Sequence, residues 1–190
     1  MAQPTPKASF VAGLTRRIDL NRRAVQTEFL PLPEDDLSWR RDDRTWSVLQ
    51  CVDHLNRTHD YYVQRIDAAI PRAVPARAGA DVYAPTWMAR AFMGFAFNPL
   101  VSIPTLSELA PEEAPSAGAL NEFITRQSTV RQLLDAVADL DLTHTPVPLQ
   151  AGVRFNLGDC LTMLVRHDGH HIRQARAVLD ALTATEAVGG

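Results

Sequence analysis

Four segments with helical periodicity place the strongest constraint on how this chain can fold. Apolar residues recur along them mostly three, four or seven positions apart, which predicts helices over 8–30, 47–70, 117–140 and 156–183. Prolines follow the first segment, and Asn156 is placed to cap the last one. Ser47 and Gln50 have the spacing of a reciprocal cap at the start of the second. We predict an all-α protein, a four-helix bundle.

A long connection, residues 71–116, separates the second and third predicted helices and holds seven of the 13 prolines. A connection of this length can cross the bundle, which predicts the up-up-down-down order of helix directions. Residues 86–97 are apolar enough for a short helix that covers the bundle. A cover over an active site is an open alternative, whereas Arg90 alone supplies too little charge for a membrane-interface anchor. We expect a single domain over 1–190.

Composition narrows the class of protein. Hydrophobic residues make up 46% and charged residues 22%, and no apolar run approaches the roughly 18 residues of a membrane span. The net charge of -3 disfavours nucleic acid as a partner. Lys7 is the only lysine, so the basic residues are nearly all arginines, which is compatible with small anionic ligands and is explained equally well by a genome-wide base-composition bias.

Cys51 and Cys160 lack the paired spacing of a disulfide framework or a zinc ribbon. The N-terminal residues show no apolar stretch after a basic one, so no secretory signal is predicted. We therefore expect a cytoplasmic protein.

Three of the six histidines lie in the fourth predicted helix. His167 and His171 are four positions apart, which places both imidazoles on one helix face, as a metal ion requires. A hydrogen-bonded structural pair is the alternative. A third ligand has to come from the second helix, where periodicity favours His59 and His54 is also available. A di-iron site is excluded because neither helix contains a glutamate.

Three short motifs carry a family resemblance: Trp46-Ser47, His54-Leu55, and HDGHHIRQ over residues 167–174. With them the sequence resembles the DinB superfamily, including its YfiT-like members. The resemblance implies a four-helix bundle with a long connection after the second helix. It also implies one divalent transition metal, zinc or nickel, held by His54, His167 and His171. His59 would then be a core residue or a neighbour of the ligands.

Three neutral imidazoles leave an open coordination position, as in catalytic metal sites. Characterised members of the family include transferases and an isomerase that use low-molecular-weight thiols, and others are described as metal-dependent hydrolases. The resemblance implies transfer of such a thiol to a small electrophilic substrate, with hydrolysis as the alternative. A bundle that binds a ligand without turnover is the non-enzymatic alternative. We expect no nucleic acid or membrane partner, and a homodimer is compatible with the apolar crossover.

Five polar residues lie near the proposed ligands in sequence and could contact a thiol or orient an imidazole. Arg57 and Arg173 could meet the carboxylates of a thiol, although an exposed surface position is the simpler interpretation of both. Asp53 and Asp168 are adjacent to ligands in sequence, and adjacent helical positions point about 100° apart, so we do not expect them to orient a ligand. Gln174, three positions after His171, is better placed to do so.

Overall fold

The computed structural model of the chain describes residues 4–76, 82–97, 104–149 and 154–189, and it is predominantly helical. A π-helical turn, Val25–Phe29, extends the first α-helix, and one-turn 3-10 helices lie at Ile70–Arg72 and Ser107–Leu109. The α-helices are α1 (Lys7–Ala24), α2 (Glu34–Ser38), α3 (Val48–Ala69), α4 (Trp87–Ala96), α5 (Gly118–Ala136) and α6 (Leu157–Gly189). None of these helices is long and apolar enough to cross a membrane.

The predicted all-α four-helix bundle is confirmed, and its long helices are α1, α3, α5 and α6. Helix α5 ends at Ala136 rather than near 140, and α6 continues to Gly189 beyond the predicted end. Both predicted caps are present. Ser47 Oγ accepts the Gln50 backbone N–H while the Gln50 side chain accepts that of Ser47, and Asn156 Oδ1 accepts the Asp159 N–H at 2.7 Å.

The order of helix directions differs from the prediction. Helices α3 and α5 run parallel, since Asn56 donates to the carbonyl of Ala119 and Asp60, one turn later, pairs with Arg126. Helix α1 runs parallel to α6 and antiparallel to these two, which gives up-down-down-up rather than up-up-down-down. The short connection between α1 and α3 reverses the chain, whereas the long crossover joins two parallel neighbours.

The core consists of two apolar clusters, one toward each end of the bundle. One cluster groups the second half of α3 with the first half of α6, as in the shared packing of Ile66 and Leu161. The other groups the first half of α3 with the second half of α6, as in Leu55 and Ile172. This division shows that α3 and α6 are antiparallel.

One small antiparallel sheet and several polar contacts attach the crossover to the bundle, and a second small sheet lies between α5 and α6. Strand β1 (Thr5–Pro6) pairs with β2 (Val82–Tyr83), and β3 (Pro146–Pro148) pairs with β4 (Arg154–Asn156). The buried carboxylate of Asp159 accepts hydrogen bonds from the hydroxyls of Tyr83 and Thr86, each at 2.8 Å. These bonds fix the segment that leads into α4.

Helix α4 confirms the predicted short apolar helix in the crossover. Ala89 and Met93 are buried against the bundle, whereas Trp87 is 77% exposed. Residues 77–81 and 98–103 of the predicted crossover lie outside the described residues. Beyond them, the crossover returns along α3, where the Gln50 amide donates to the carbonyls of Glu112 and Glu113.

Candidate metal centre

Antiparallel packing of α3 and α6 brings His54, His167 and His171 together. His54 lies on the face of α3 that is turned toward α6, and His167 and His171 lie one turn apart on α6. The nitrogen ligand atoms available from the three rings all lie within 4.8 Å of one another. Within the described residues, no other group of three or more His, Cys, Asp or Glu side chains is suited to hold a metal ion.

The Nε2 atoms of the three rings converge on one point. His167 Nε2 lies 3.3 Å from His54 Nε2 and 3.1 Å from His171 Nε2. At zinc–nitrogen distances of about 2.0–2.1 Å, two nitrogens of a tetrahedral site are roughly 3.3 Å apart. The observed spacings therefore suit a single ion between the rings.

The outward-facing nitrogens fix the tautomers of two of these rings. His54 Nδ1 donates to the carbonyl of Leu109 at 2.6 Å, and His171 Nδ1 donates to the amide oxygen of Gln174 at 2.8 Å. A neutral imidazole has one N–H, so both Nε2 atoms carry lone pairs toward the centre. The contact predicted for Gln174 is thus present, and Leu109 has the same role for His54.

His167 cannot satisfy both neighbours by hydrogen bonding. A neutral ring has one N–H to donate, so at most one of its two Nε2 contacts is a hydrogen bond. Its Nδ1 atom is buried and has no hydrogen-bond partner among the described residues. Buried lone pairs without a donor are costly, and a cation bound by all three Nε2 atoms would remove that cost, while the N–H at His167 Nδ1 would still lack a partner among the described residues. The donor set therefore fits a metal ion.

Burial keeps these imidazoles neutral, which is the form that binds metal. It lowers the pKa of His171 to about 3, with smaller effects from the neighbouring imidazoles of His54 and His170. Burial also lowers the pKa of His167 well below its usual value, and the rings of His171 and His54 lower it further. Burial likewise lowers the pKa of His54, although its bond to Leu109 partly opposes the effect.

Two aromatic rings lie near the three imidazoles, one just before α3 and one in the crossover directly after α4. The Trp46 ring lies 4.9 Å from the His54 ring and 5.7 Å from the His171 ring, measured between centroids. Phe97, directly after α4, lies 6.3 Å from the His167 ring. The crossover therefore places one aromatic ring beside the imidazoles.

A second buried polar group, formed by His59, Gln127 and Asp168, lies beside the three imidazoles. Asp168 accepts hydrogen bonds from His59 Nε2 at 2.8 Å and from Gln127 Nε2 at 2.9 Å, and it is fully buried. The His59 ring is thus hydrogen-bonded to a carboxylate, and it is not one of the three rings whose Nε2 atoms converge. Its central position in the apolar stripe of α3 signalled burial, and nothing in the sequence signalled its bond to Asp168.

Of the polar residues predicted to lie near the ligands, Asp53 and Arg57 contact the crossover, whereas Arg173 does not face the three imidazoles. Asp53 accepts from Arg57 Nε at 2.9 Å and from the backbone N–H of Glu112 at 2.8 Å, so both side chains help to attach the crossover. Arg57 also bonds the Glu112 carboxylate. Arg173 is exposed on the other side of α6, beside the cavity considered below.

Comparison with known proteins gives one finding. The family model described as the DinB superfamily matches residues 17–175, which is most of the chain. This range includes all three convergent histidines and the whole crossover. No curated protein and no solved structure matches the chain.

Proposed function

The chain belongs to the DinB superfamily, and we propose that it binds one divalent transition-metal ion through His54, His167 and His171. We further propose that it transfers a low-molecular-weight thiol to a small electrophile. The observation that carries the proposal is the convergence of three buried Nε2 atoms, two of them with protons fixed on the opposite nitrogen. A zinc or nickel ion bound there would act as a Lewis acid and stabilise a thiolate.

The neutral donor set supports an anionic co-substrate. Three uncharged imidazoles leave the charge of a divalent ion uncompensated, and the rings of Trp46 and Phe97 add no negative charge. The nearby carboxylates of Asp53 and Asp168 are held by Arg57 and by His59, respectively. With the metal bound, a thiolate would therefore find a positive charge beside carboxylates that are already paired.

The thiol has to come from outside the chain. Cys51 and Cys160 are both fully buried in the core. Burial raises the pKa of the Cys51 thiol to about 12 and raises that of Cys160 as well, so neither is a ready nucleophile. In the proposed reaction the external thiol loses its proton to solvent, and its sulfur bonds to the electrophilic carbon as a leaving group departs with its electron pair.

Metal content tests the ligand set. We expect protein purified without a histidine tag to hold about one metal ion per chain, and His54→Ala to lose it. His59→Ala is the matched control on the same helix, and His170→Ala is the control on α6, since its ring is rotated about 100° from that of His171. Both controls should retain the metal. Retention by His54→Ala, or loss by His59→Ala alone, would show that the ligand set is wrong.

A spectroscopic experiment tests the reaction class separately. Addition of a low-molecular-weight thiol to the cobalt-substituted protein should produce a sulfur-to-cobalt charge-transfer band. The band should be missing in His54→Ala. If no common cellular thiol produces it while the metal-loaded protein cleaves activated esters or amides, the protein is a hydrolase. If neither metal nor thiol binds, the bundle is a non-catalytic binding protein.

A further inference from the structure

A cavity of about 290 Å³ lies between α1 and α6, beside the end of α4. Arg17 and Asn21 of α1, Arg166 and Arg173 of α6, and the ring of Phe97 line it. Three of these five side chains are guanidinium groups. Ligand pockets usually measure about 300–1,000 Å³, so this cavity suits a small molecule or part of one.

The three arginines lack the carboxylate partners that other arginines of this protein have. Arg126 and Arg176 each bond carboxylates with two nitrogens, within 3.0 Å. Among the described residues, no carboxylate forms an ion pair with any of the three cavity arginines. Burial lowers the pKa of Arg166, and the charges of Arg17 and Arg173 lower it further, so both of these positive charges lie near the Arg166 guanidinium.

The surrounding contacts hold the walls of the cavity in place. The Arg166 guanidinium lies over the Phe97 ring, 5.1 Å from its centroid. Asn21 Nδ2 donates to the carbonyl of Val165 at 3.2 Å, so the Asn21 side chain is fixed against α6. At Gly169 an added Cβ would lie 3.5 Å from Asn21 Oδ1 and 3.6 Å from an Arg173 Nη atom. The glycine therefore leaves space between these two groups.

We propose that this cavity binds a small molecule bearing carboxylate or phosphate oxygens. Guanidinium groups bind such oxyanions in two-pronged geometry, and an anion among three of them replaces mutual repulsion by charge-assisted hydrogen bonds. The site goes beyond the proposed function, because its three arginines can bind an anion whether or not the imidazoles hold a metal.

The position of Phe97 links this anion site to the imidazole cluster. The same ring that lies under the Arg166 guanidinium lies 6.3 Å from the His167 ring and 5.6 Å from the His170 ring, measured between centroids. A molecule in the cavity would thus lie across one aromatic ring from the imidazole cluster. An anionic group of a substrate or co-substrate is therefore the occupant that the geometry favours.

Isothermal titration calorimetry with citrate and with inorganic phosphate tests the site, on the metal-free and the metal-loaded protein at constant ionic strength. We expect saturable one-to-one binding of at least one of the two anions. Arg166→Gln and Arg173→Gln should each weaken it by about tenfold or more, as loss of a charge-assisted bond does. Arg16→Gln is the matched control, because it removes the same charge from the exposed residue next to Arg17 and should change affinity less than twofold.

The results distinguish a carboxylate from a phosphate ligand, and they test the cavity separately from the proposed thiol transfer. Tighter binding of citrate indicates a carboxylate ligand, and tighter binding of phosphate indicates a phosphate ligand. Binding that survives removal of the metal supports the cavity as a separate site even if the thiol reaction is wrong. The inference is overturned if neither anion binds, or if Arg16→Gln weakens binding as much as Arg166→Gln. Melting curves of each variant check that these exposed substitutions leave the fold intact.

Discussion

Replacement of Asp168 by alanine tests the buried polar group at the centre of the bundle. The Asp168 carboxylate is fully buried and joins three helices, since it accepts hydrogen bonds from His59 on α3 and Gln127 on α5. Asp168 directly follows His167 in α6, so these bonds lie beside the candidate metal centre. We expect Asp168→Ala to be among the most destabilising single changes in this chain.

The expected loss of stability follows from the two buried donors that Asp168→Ala leaves without an acceptor. The His59 N–H and the Gln127 amide would both lose their acceptor inside the core, and each unsatisfied buried donor costs about 1–3 kcal/mol. Together the two donors give an expected loss of about 2–6 kcal/mol. At this chain length, 1 kcal/mol shifts the melting temperature by about 2–4 °C, so Asp168→Ala should lower it by roughly 4–24 °C.

Asp60→Ala is the matched control, because Asp60 pairs with Arg126 across α3 and α5 but is about half exposed. An exposed ion pair contributes about 0–1 kcal/mol, so this variant should unfold close to the parent. Urea denaturation of both variants in the presence of a chelator measures the free energy of unfolding without any contribution from metal. The reasoning is refuted if Asp168→Ala costs no more than Asp60→Ala. A double variant with His59→Ala should cost less than the sum of the single changes, because one unpaired donor is removed.

Three further predictions concern metal, acid and packing. Zinc at about 100 times its dissociation constant should stabilise the parent by about 2.7 kcal/mol in a thermal melt, and should leave His54→Ala unchanged. The metal-free protein should lose stability as the pH falls from about 6.5 toward 3. Burial lowers the folded-state pKa of His171 to about 3, so over this range only the unfolded chain protonates that imidazole. A free energy of unfolding in urea that does not change over this range would contradict the prediction. Gly158→Ala should lower the free energy of unfolding, measured in urea, by about 1–3 kcal/mol, because its Cβ would collide with the Tyr83 ring. Gly13→Ala meets no atom within 4 Å and should instead stabilise α1 by about 0.5–1 kcal/mol. Equal effects of the two changes would argue against the packing explanation.

The helices could be predicted because their signals are local. Apolar periodicity and the Ser47 cap act within a few turns of one helix, and the structure has these helices nearly where they were expected. Helix direction depends instead on which faces pack together, and a connection length limits that choice without deciding it. The crossover was correctly expected to be long, yet the predicted up-up-down-down order was wrong because it joins the parallel pair α3 and α5.

Side-chain partners across helices were harder to predict. His59 and Asp168 lie far apart in sequence, and the helical pattern of α3 marked His59 only as buried. Periodicity therefore favoured His59 as a metal ligand, although in the structure His54 is the one beside His167. The pairing of Asp168 with His59 explains this, because a carboxylate already satisfies the more central imidazole.

The crossover contributes residues both beside the imidazole cluster and to the arginine-lined cavity. Residues 82–97 of the crossover are anchored by Asp159 and include Phe97, whose ring lies near His167 and also lines the cavity of the three arginines. Its last segment is anchored on α3 and brings the Leu109 carbonyl to His54, which directs the lone pair of that ring inward. The helices thus supply all three convergent imidazoles, while the crossover fixes one tautomer and shapes the access around them. Substitutions in the crossover should therefore change which molecules bind without changing which three imidazoles converge.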